Sequence, residues 1–358
     1  MDPARARWAV PAFFATTAIP VTLFFLGADP LLLLIVSSLA VLPLAYLMGV
    51  ATEELAKHMG PALGGLFNVS FGNAVEIIIG IAALRAGLVQ LVQASLTGSI
   101  IGNILLVLGL SMLAGGLRHK RQTFERRAAT TRSTLLVLAT VGLVMPSLFV
   151  LATADPVPQG TLITVTIAIA VLLLVAYGGA LLFSFHTHRH LFNPRGEMEG
   201  EVVHWSRGYA VLILGVATAL VAVVSEVLIE TVKVSIEEFG FSQLFLGVIV
   251  ISIVGNAAEH GSAVVLAWRN RMNLSVSIAL SSSTQIALFA APFLVFASLI
   301  IGNVLTFSFG IFELIAIGLA VAIAGAVAND GESNWFEGMM LLIVYAIIAV
   351  AFFFLPSV

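Results

Sequence analysis

The chain has 358 residues, of which 60% are apolar and only 10% charged; its formal net charge is −3 and it contains no cysteine. Soluble domains average about 45–50% apolar and about 25% charged residues, so a soluble globule is excluded and an integral membrane protein is implied. The cysteine count removes disulfides, zinc–thiolate sites and catalytic thiols, and the small negative charge argues against a nucleic-acid partner.

The apolar residues come in long blocks, which favours helical spans over the short alternating strands of an outer-membrane barrel. At about 20 residues per span, eleven helices are expected, at 8–27, 31–56, 62–84, 87–114, 133–153, 160–184, 208–232, 241–267, 273–300, 305–328 and 335–355. Turn or charge signals separate them at Asp29-Pro30, Gly60-Pro61, 118–132, 155–158, 186–207, 233–240, 269–273 and 329–334. Arg5 and Arg7 precede the first block as in a signal peptide, but the block is long and no small-residue cleavage site follows, so it reads as a span. With the N-terminus inside, Arg5, Arg7, Lys57, Arg118, Lys120, Arg121, Arg126, Arg127, Arg132, Arg189, Arg195, Arg207, Arg269 and Arg271 fall on the inner side. Only Arg85 and Lys233 fall outside. That asymmetry places the N-terminus in the cytoplasm and the C-terminus outside.

The chain repeats itself. Phe71-Gly72-Asn73-Ala74-Val75-Glu76 answers Val254-Gly255-Asn256-Ala257-Ala258-Glu259; Ser99-Ile100-Ile101-Gly102-Asn103 answers Ser281-Ser282-Ser283-Thr284-Gln285; Thr52-Glu53-Glu54-Leu55 answers Ser225-Glu226-Val227-Leu228. The matches fall in the same order, one per successive helix. The expected organisation is an N-terminal transmembrane helix at 1–30, a first five-helix repeat at 31–185, a cytoplasmic linker at 186–207 and a second five-helix repeat at 208–358. Five is odd, so the second copy must cross in the opposite sense. This all-α, inverted-repeat architecture is that of many secondary transporters, whose substrates bind near the midplane where the repeats meet.

A carboxylate at the bilayer centre costs about 2.5–3.5 kcal/mol. Glu76 and Glu259 nevertheless lie mid-span at equivalent places, without a basic residue at comparable depth. Small-residue packing between helices explains the repeated Gly and Ala, but not two acids. Asn73 and Asn256 stand three residues before the acids and share their helix faces. Ser99 with Asn103, and Ser281 with Gln285, add polar pairs on the following spans. Gly72 and Gly255 weaken the helices just before the acids, so that a break there would free carbonyls. Together these groups make an oxygen cage of the kind that suits calcium, which takes about 6–8 oxygen ligands at flexible spacing. A soft-metal site is not expected, since there is no Cys and His260 is the one histidine deep in a span.

Other polar groups are more equivocal. Glu53 or Glu54, with Glu226 and Glu230, form a peripheral set that reads either as a proton or cation path or as solvated acids near helix ends. His260 either relays protons or is a satisfied buried histidine. Glu313 has no acidic counterpart and receives no role. The cluster His186-Thr187-His188-Arg189-His190 reads as interfacial, and Glu197, Glu199 and Glu201 as a solvated linker.

The strings GNAVEIIIG and GNAAEH, followed by SLTGSIIGN and SSSTQIALF, resemble the calcium/proton antiporters, the cation/proton exchanger branch of the calcium/cation antiporter superfamily. The resemblance continues in SFHTHRHLF and NDGESNWFEG and covers nearly the whole chain. It implies eleven helices with two inverted five-helix repeats, and makes Glu76 and Glu259 the central cation ligands that also take the protons. Many eukaryotic members carry a long regulatory N-terminal tail; this chain starts seven residues before its first expected span, so tail autoinhibition is not expected. The implied function is export of cytosolic calcium against inward protons, with calcium, protons and the lipid bilayer as partners and no cofactor; a homo-oligomer is left open, since oligomeric state does not carry over from the family. A sodium/calcium exchanger or another divalent cation/proton antiporter is the alternative, although neutral Gln285 in place of an acid favours protons. A channel needs a continuous pore, commonly built by oligomeric symmetry. An enzyme is not expected: there is no HExxH and no Cys, and no nucleophile–base pair stands out.

Overall fold

A computed structural model describes residues 3–59, 61–153, 155–187 and 203–355. Among the described residues the regular structure is helical apart from one two-residue ladder. Its elements are α1 (Pro3–Phe25), α2 (Pro30–Lys57), α3 (Pro61–Gly72), α4 (Ala74–Arg85), α5 (Val89–Arg118), α6 (Arg126–Ala152), α7 (Gln159–Leu182), α8 (Arg207–Phe239), α9 (Gln243–Gly255), α10 (Ala257–Trp268), α11 (Met272–Ile301), α12 (Ile311–Asp330) and α13 (Trp335–Phe354). Gln122–Thr123 (β1) pairs antiparallel with Glu332–Ser333 (β2). Among the described residues, eight helices are long and apolar enough to cross a membrane, or nine if α9 and α10, bent by 62° at one break, count as one span. The segments expected at 8–27 and 62–84 also fold as helices, namely α1 and the broken pair α3–α4.

Local chemistry sets the helix ends. Asp29 caps α2 by accepting from the N–H groups of Leu31 and Leu32, with Pro30 at the first helical position. Asn334 caps α13 in the same way through Phe336 and Glu337. Helix α6 begins at Arg126, before the expected 133, because Glu125 caps it and its polar first turns prolong the apolar span. Helix α8 runs on to Phe239, where Gly240 at φ 69° accepts the left-handed conformation that ends it.

The span expected at 305–328 starts only at Ile311; residues 302–310 are extended and partly buried. Irregular backbone is tolerated at membrane depth only where protein satisfies it, and here side chains do so. Ser298 Oγ accepts from Leu305 N–H (2.8 Å), and Gln93 Nε2 donates to the Thr306 and Ser308 carbonyls (2.8 and 3.2 Å). Ser147 Oγ donates to the Phe307 carbonyl (3.0 Å) and accepts from Phe309 N–H (2.7 Å).

The chain packs as two compact units that each draw on both halves of the sequence: residues 1–86 with 178–241, and residues 87–177 with 242–358. In the first, α2 lies along α8, α1 covers both, α3 packs on α2, and α4 packs on α8. In the second, α5 is the central helix, packed against α9, α11, α12 and α13, with α6 against α11 and α12. Gly98 of α5 lies so close to the backbone of Val248 that a Cβ there would collide with it, and Gly338 of α13 meets the backbone of Gly109 and Leu113 in the same way.

Candidate functional site

Both glutamates occupy the same local structure. Helices α3 and α4 break at Asn73 (φ −96°, ψ 18°), and α9 and α10 break at Asn256 (φ −92°, ψ 5°). Each asparagine precedes the first residue of a new half-helix, and each glutamate stands in that half-helix's first turn. The unpaired N–H groups and the positive dipole end of a helix N-terminus favour a carboxylate there. The hinge is one residue later than expected: Gly72 and Gly255 are the last residues of the preceding helices rather than the points of break. Asn73 and Asn256 are buried, the two glutamate side chains half-buried, and Oε2 of each glutamate is shielded from solvent.

In the second unit Glu259 stands in a connected polar network. The Ser282 hydroxyl lies beside its carboxylate. Asn103 Nδ2 donates to Ser282 Oγ (3.0 Å) and to Asn256 Oδ1 (3.2 Å). Asn256 Nδ2 donates to Ser99 Oγ (2.8 Å) and to the Ser252 carbonyl (2.9 Å). His260 Nε2 lies 3.2 Å from Asn103 Oδ1, an acceptor only, so Nε2 carries the hydrogen. Asn103, Asn256 and Ser282 are almost fully buried, and Asn103 lies in a π-helical turn of α5 (Gly102–Val107) that shifts the phase of the following residues. Both functions of the Asn103 amide are thus engaged by protein, which makes it the node of the network. Glu259 Oε2 has no hydrogen-bond partner among the described residues.

The structure adds Ser282 to the residues singled out by sequence. Ser281 and Gln285 are half-buried, while Ser282 makes the contacts to Asn103 and Glu259. A signal for it exists: the residue spacing that carries Asn73 to Asn256 and Glu76 to Glu259 also carries Ser99 to Ser282. Matching the polar i, i+4 pairs instead favours Ser281.

The peripheral acids are all ion-paired within the first unit. Glu53 pairs with Lys57 (3.1 Å), Glu226 with Arg85 (2.7 Å) and Glu230 with Lys233 (3.6 Å). Glu54 is wholly enclosed: Lys57 Nζ reaches one oxygen at 2.9 Å, and the backbone N–H groups of His204 and Trp205 reach the other at 2.8 and 2.9 Å. Glu313, in the second unit, caps α12 through Gly310 N–H (2.9 Å) and accepts from Thr97 Oγ1 (3.0 Å). His186 is exposed; His188 to His190 and Glu197, Glu199 and Glu201 lie outside the described residues.

A family profile described as "Sodium/calcium exchanger protein" matches residues 30–186 and 209–354. A Ca(2+)/H(+) antiporter of Aphanothece halophytica is 42% identical over 357 residues, covering 95% of each chain. The Ca(2+)/H(+) antiporter ChaA of Bacillus subtilis strain 168 is 42% identical over 351 residues, covering 96% of this chain and 99% of its own. The solved structure of native YfkE superposes with a TM-score of 0.82 at 39% identity, over 96% of this chain and 99% of that one.

Proposed function

Because the chain belongs to the sodium/calcium exchanger protein family, we propose that it is a secondary transporter that exchanges calcium for protons across the membrane. The observation that carries the reading is the pair of helix breaks at Asn73 and Asn256, each presenting a glutamate at the N-terminus of a half-helix. The names of relatives 42% identical over nearly the whole chain support calcium as substrate and protons as counter-ion. Neutral Gln285, where sodium coupling would favour another acid, points the same way.

In this reading Glu76 and Glu259 are the central calcium ligands. Asn73, Asn256, Ser99, Ser281, Ser282 and Gln285, with carbonyls near Gly72 and Gly255, complete the oxygen set, and Asn103 holds the neutral ligands in place. Calcium brings two positive charges and takes both carboxylates ionised; protons neutralise the same charges in its absence. Transit restricted to the two neutralised states turns binding into exchange, with about two protons per calcium if only these carboxylates titrate. Eleven spans in two inverted repeats supply the alternating access. A plasma-membrane location with the N-terminus inside makes calcium export, driven by the acidic outer side, the working direction.

The test is calcium uptake into inside-out vesicles under an imposed pH gradient, in sodium-free buffer with the membrane potential clamped. Uptake should follow the gradient, and apparent calcium affinity should rise with pH as protons leave the shared carboxylates. Uptake that ignores pH and appears only with sodium would replace this reading with sodium exchange.

A further inference from the structure

The half-helices that carry the two glutamates are short, and each must be held at its far end. Both α4 and α10 have twelve residues, about 18 Å at 1.5 Å per residue. A break at its start deprives each of the continuous hydrogen-bond ladder that would hold it in an unbroken span. Each glutamate therefore stands on a rigid lever, and its position depends on where the other end of the lever is fastened.

The far end of α10 is fastened by hydrogen bonds. Buried Gln122 donates to the Ala267 carbonyl (2.8 Å) and to Asn270 Oδ1 (3.0 Å), and the Arg118 guanidinium lies 5.3 Å from the Trp268 ring centre. The far end of α4 is fastened by charge. Arg85 stands in its last turn, where a cation also complements the helix dipole. Its Nη1 donates to Glu226 Oε1 at 2.7 Å, joining α4 to α8, along which it packs. One turn further along α8, Lys233 takes Glu230. Glu226 is thus engaged by a guanidinium rather than standing open to an approaching ion.

We propose that Arg85 and Glu226 are a positioning pair for transport: they tie the far end of the half-helix that begins beside Glu76 to α8, as Gln122 ties the far end of the half-helix that begins beside Glu259. Glu226 is a strut, not a stop on an ion path. The inference rests on the reading of Glu76 as a calcium ligand, and it adds two residues that act through Glu76 without touching the ion. Both partners are exposed, at 64% and 53%, so the effect is modest; exposed pairs are worth about 0.2–1 kcal/mol, or about 1.5- to 5-fold in an equilibrium.

The test is a charge reversal. R85E, E226R and the double variant R85E/E226R are reconstituted beside R85K, R85Q, E226Q and wild type, and the half-saturating calcium concentration and maximal rate of sodium-free, proton-driven uptake are measured. Each reversal should raise half-saturating calcium by about 1.5- to 5-fold with little change in maximal rate. R85Q and E226Q should resemble one another, R85K should keep most of the wild-type affinity, and the double variant should return to near the wild-type value. Raising ionic strength should shrink these differences. Opposite effects, with E226Q slowing uptake and R85Q speeding it, would make Glu226 a path acid and overturn the proposal. So would a double variant as impaired as the worse single one, or single variants identical to wild type. Amide hydrogen exchange across 74–85 supplies a readout independent of transport: it should rise in each single reversal and fall back in the double. If wild type carries no proton-driven calcium flux, the transport reading fails; if the exchange pattern is absent, the strut fails.

Discussion

Glu76 and Glu259 are half-buried acids made tolerable by their place in the first turn of a half-helix, where N–H dipoles face them. Replacing either with Gln keeps the shape and removes the charge that the proposed calcium site requires. Glu76→Gln and Glu259→Gln should each nearly abolish calcium uptake while leaving expression, insertion and thermal melting close to wild type. Normal uptake in either variant would remove that glutamate from the ligand set. The neutral residues should be graded by contact. Ser282 Oγ accepts from buried Asn103 and lies beside Glu259, and leaving a buried donor without its partner costs about 1–3 kcal/mol. Ser282→Ala should therefore weaken calcium binding by about tenfold or more, and Ser281→Ala by clearly less; equal effects would show that this contact does not matter for binding.

At the scale of elements, two features hold helices in fixed relation. The first is the enclosed carboxylate of Glu54, which joins the end of α2 to the start of the segment leading into α8 through Lys57 and the N–H groups of His204 and Trp205. His58 Nε2, 2.9 Å from the Trp205 carbonyl, adds a second tie. Removing one partner of a buried ion pair costs about 3–5 kcal/mol, because the other is left desolvated and unpaired. Glu54→Ala should lower the melting temperature of the purified protein by several degrees, measured with calcium absent so that ligand binding does not enter. An unchanged melting temperature would mean that the enclosure is not stabilising. The second feature is the approach of α5 and α9 at Gly98, where a side chain would meet the Val248 backbone. Gly98→Val should cost about 1–3 kcal/mol through overpacking, and because Ser99 is its neighbour, calcium affinity should fall with stability.

For the whole molecule, the loops within the second unit constrain sidedness. Gln122 reaches Ala267 and Asn270, and β1 pairs with β2, so the segments around 119–125, 267–273 and 331–334 share one end. Thr166 and Ser147 bind the extended stretch at 305–309, so the segments on either side of 153–159 share the other. The excess of Lys and Arg lies at the first end, which predicts that it faces the cytoplasm. In this cysteine-free protein, a thiol in place of exposed Lys120 should label only from the cytoplasm, and one in place of exposed Gln159 only from outside. The reverse pattern would invert the orientation. Gln122 suits this purpose by sequence, but at 2% exposure it would not report.

Membrane residence was legible in composition, because too few charges are present to cover a soluble surface. The two glutamates were legible because a buried acid is costly and its recurrence in two matching strings needs a reason beyond packing. The breaks beside them were legible to within one residue, since Gly and Asn weaken a helix locally whatever surrounds it. Tertiary structure decided which neighbours complete the surroundings of Glu259. Ser282 rather than Ser281 touches it, and Asn103 is occupied on both sides of its amide, because the phase of α5 is shifted by a π-helical turn and the crossing of α5, α10 and α11 selects the facing side chains. It also decided that Glu53, Glu54, Glu226 and Glu230 are paired, and that residues 302–310 are extended. Those outcomes depend on partners distant in sequence, such as Arg85 for Glu226, His204 and Trp205 for Glu54, and Gln93 and Ser147 for the extended stretch. Helix periodicity and local propensity carry no information about which of the available donors will lie within hydrogen-bonding distance; only the packing of the helices sets that.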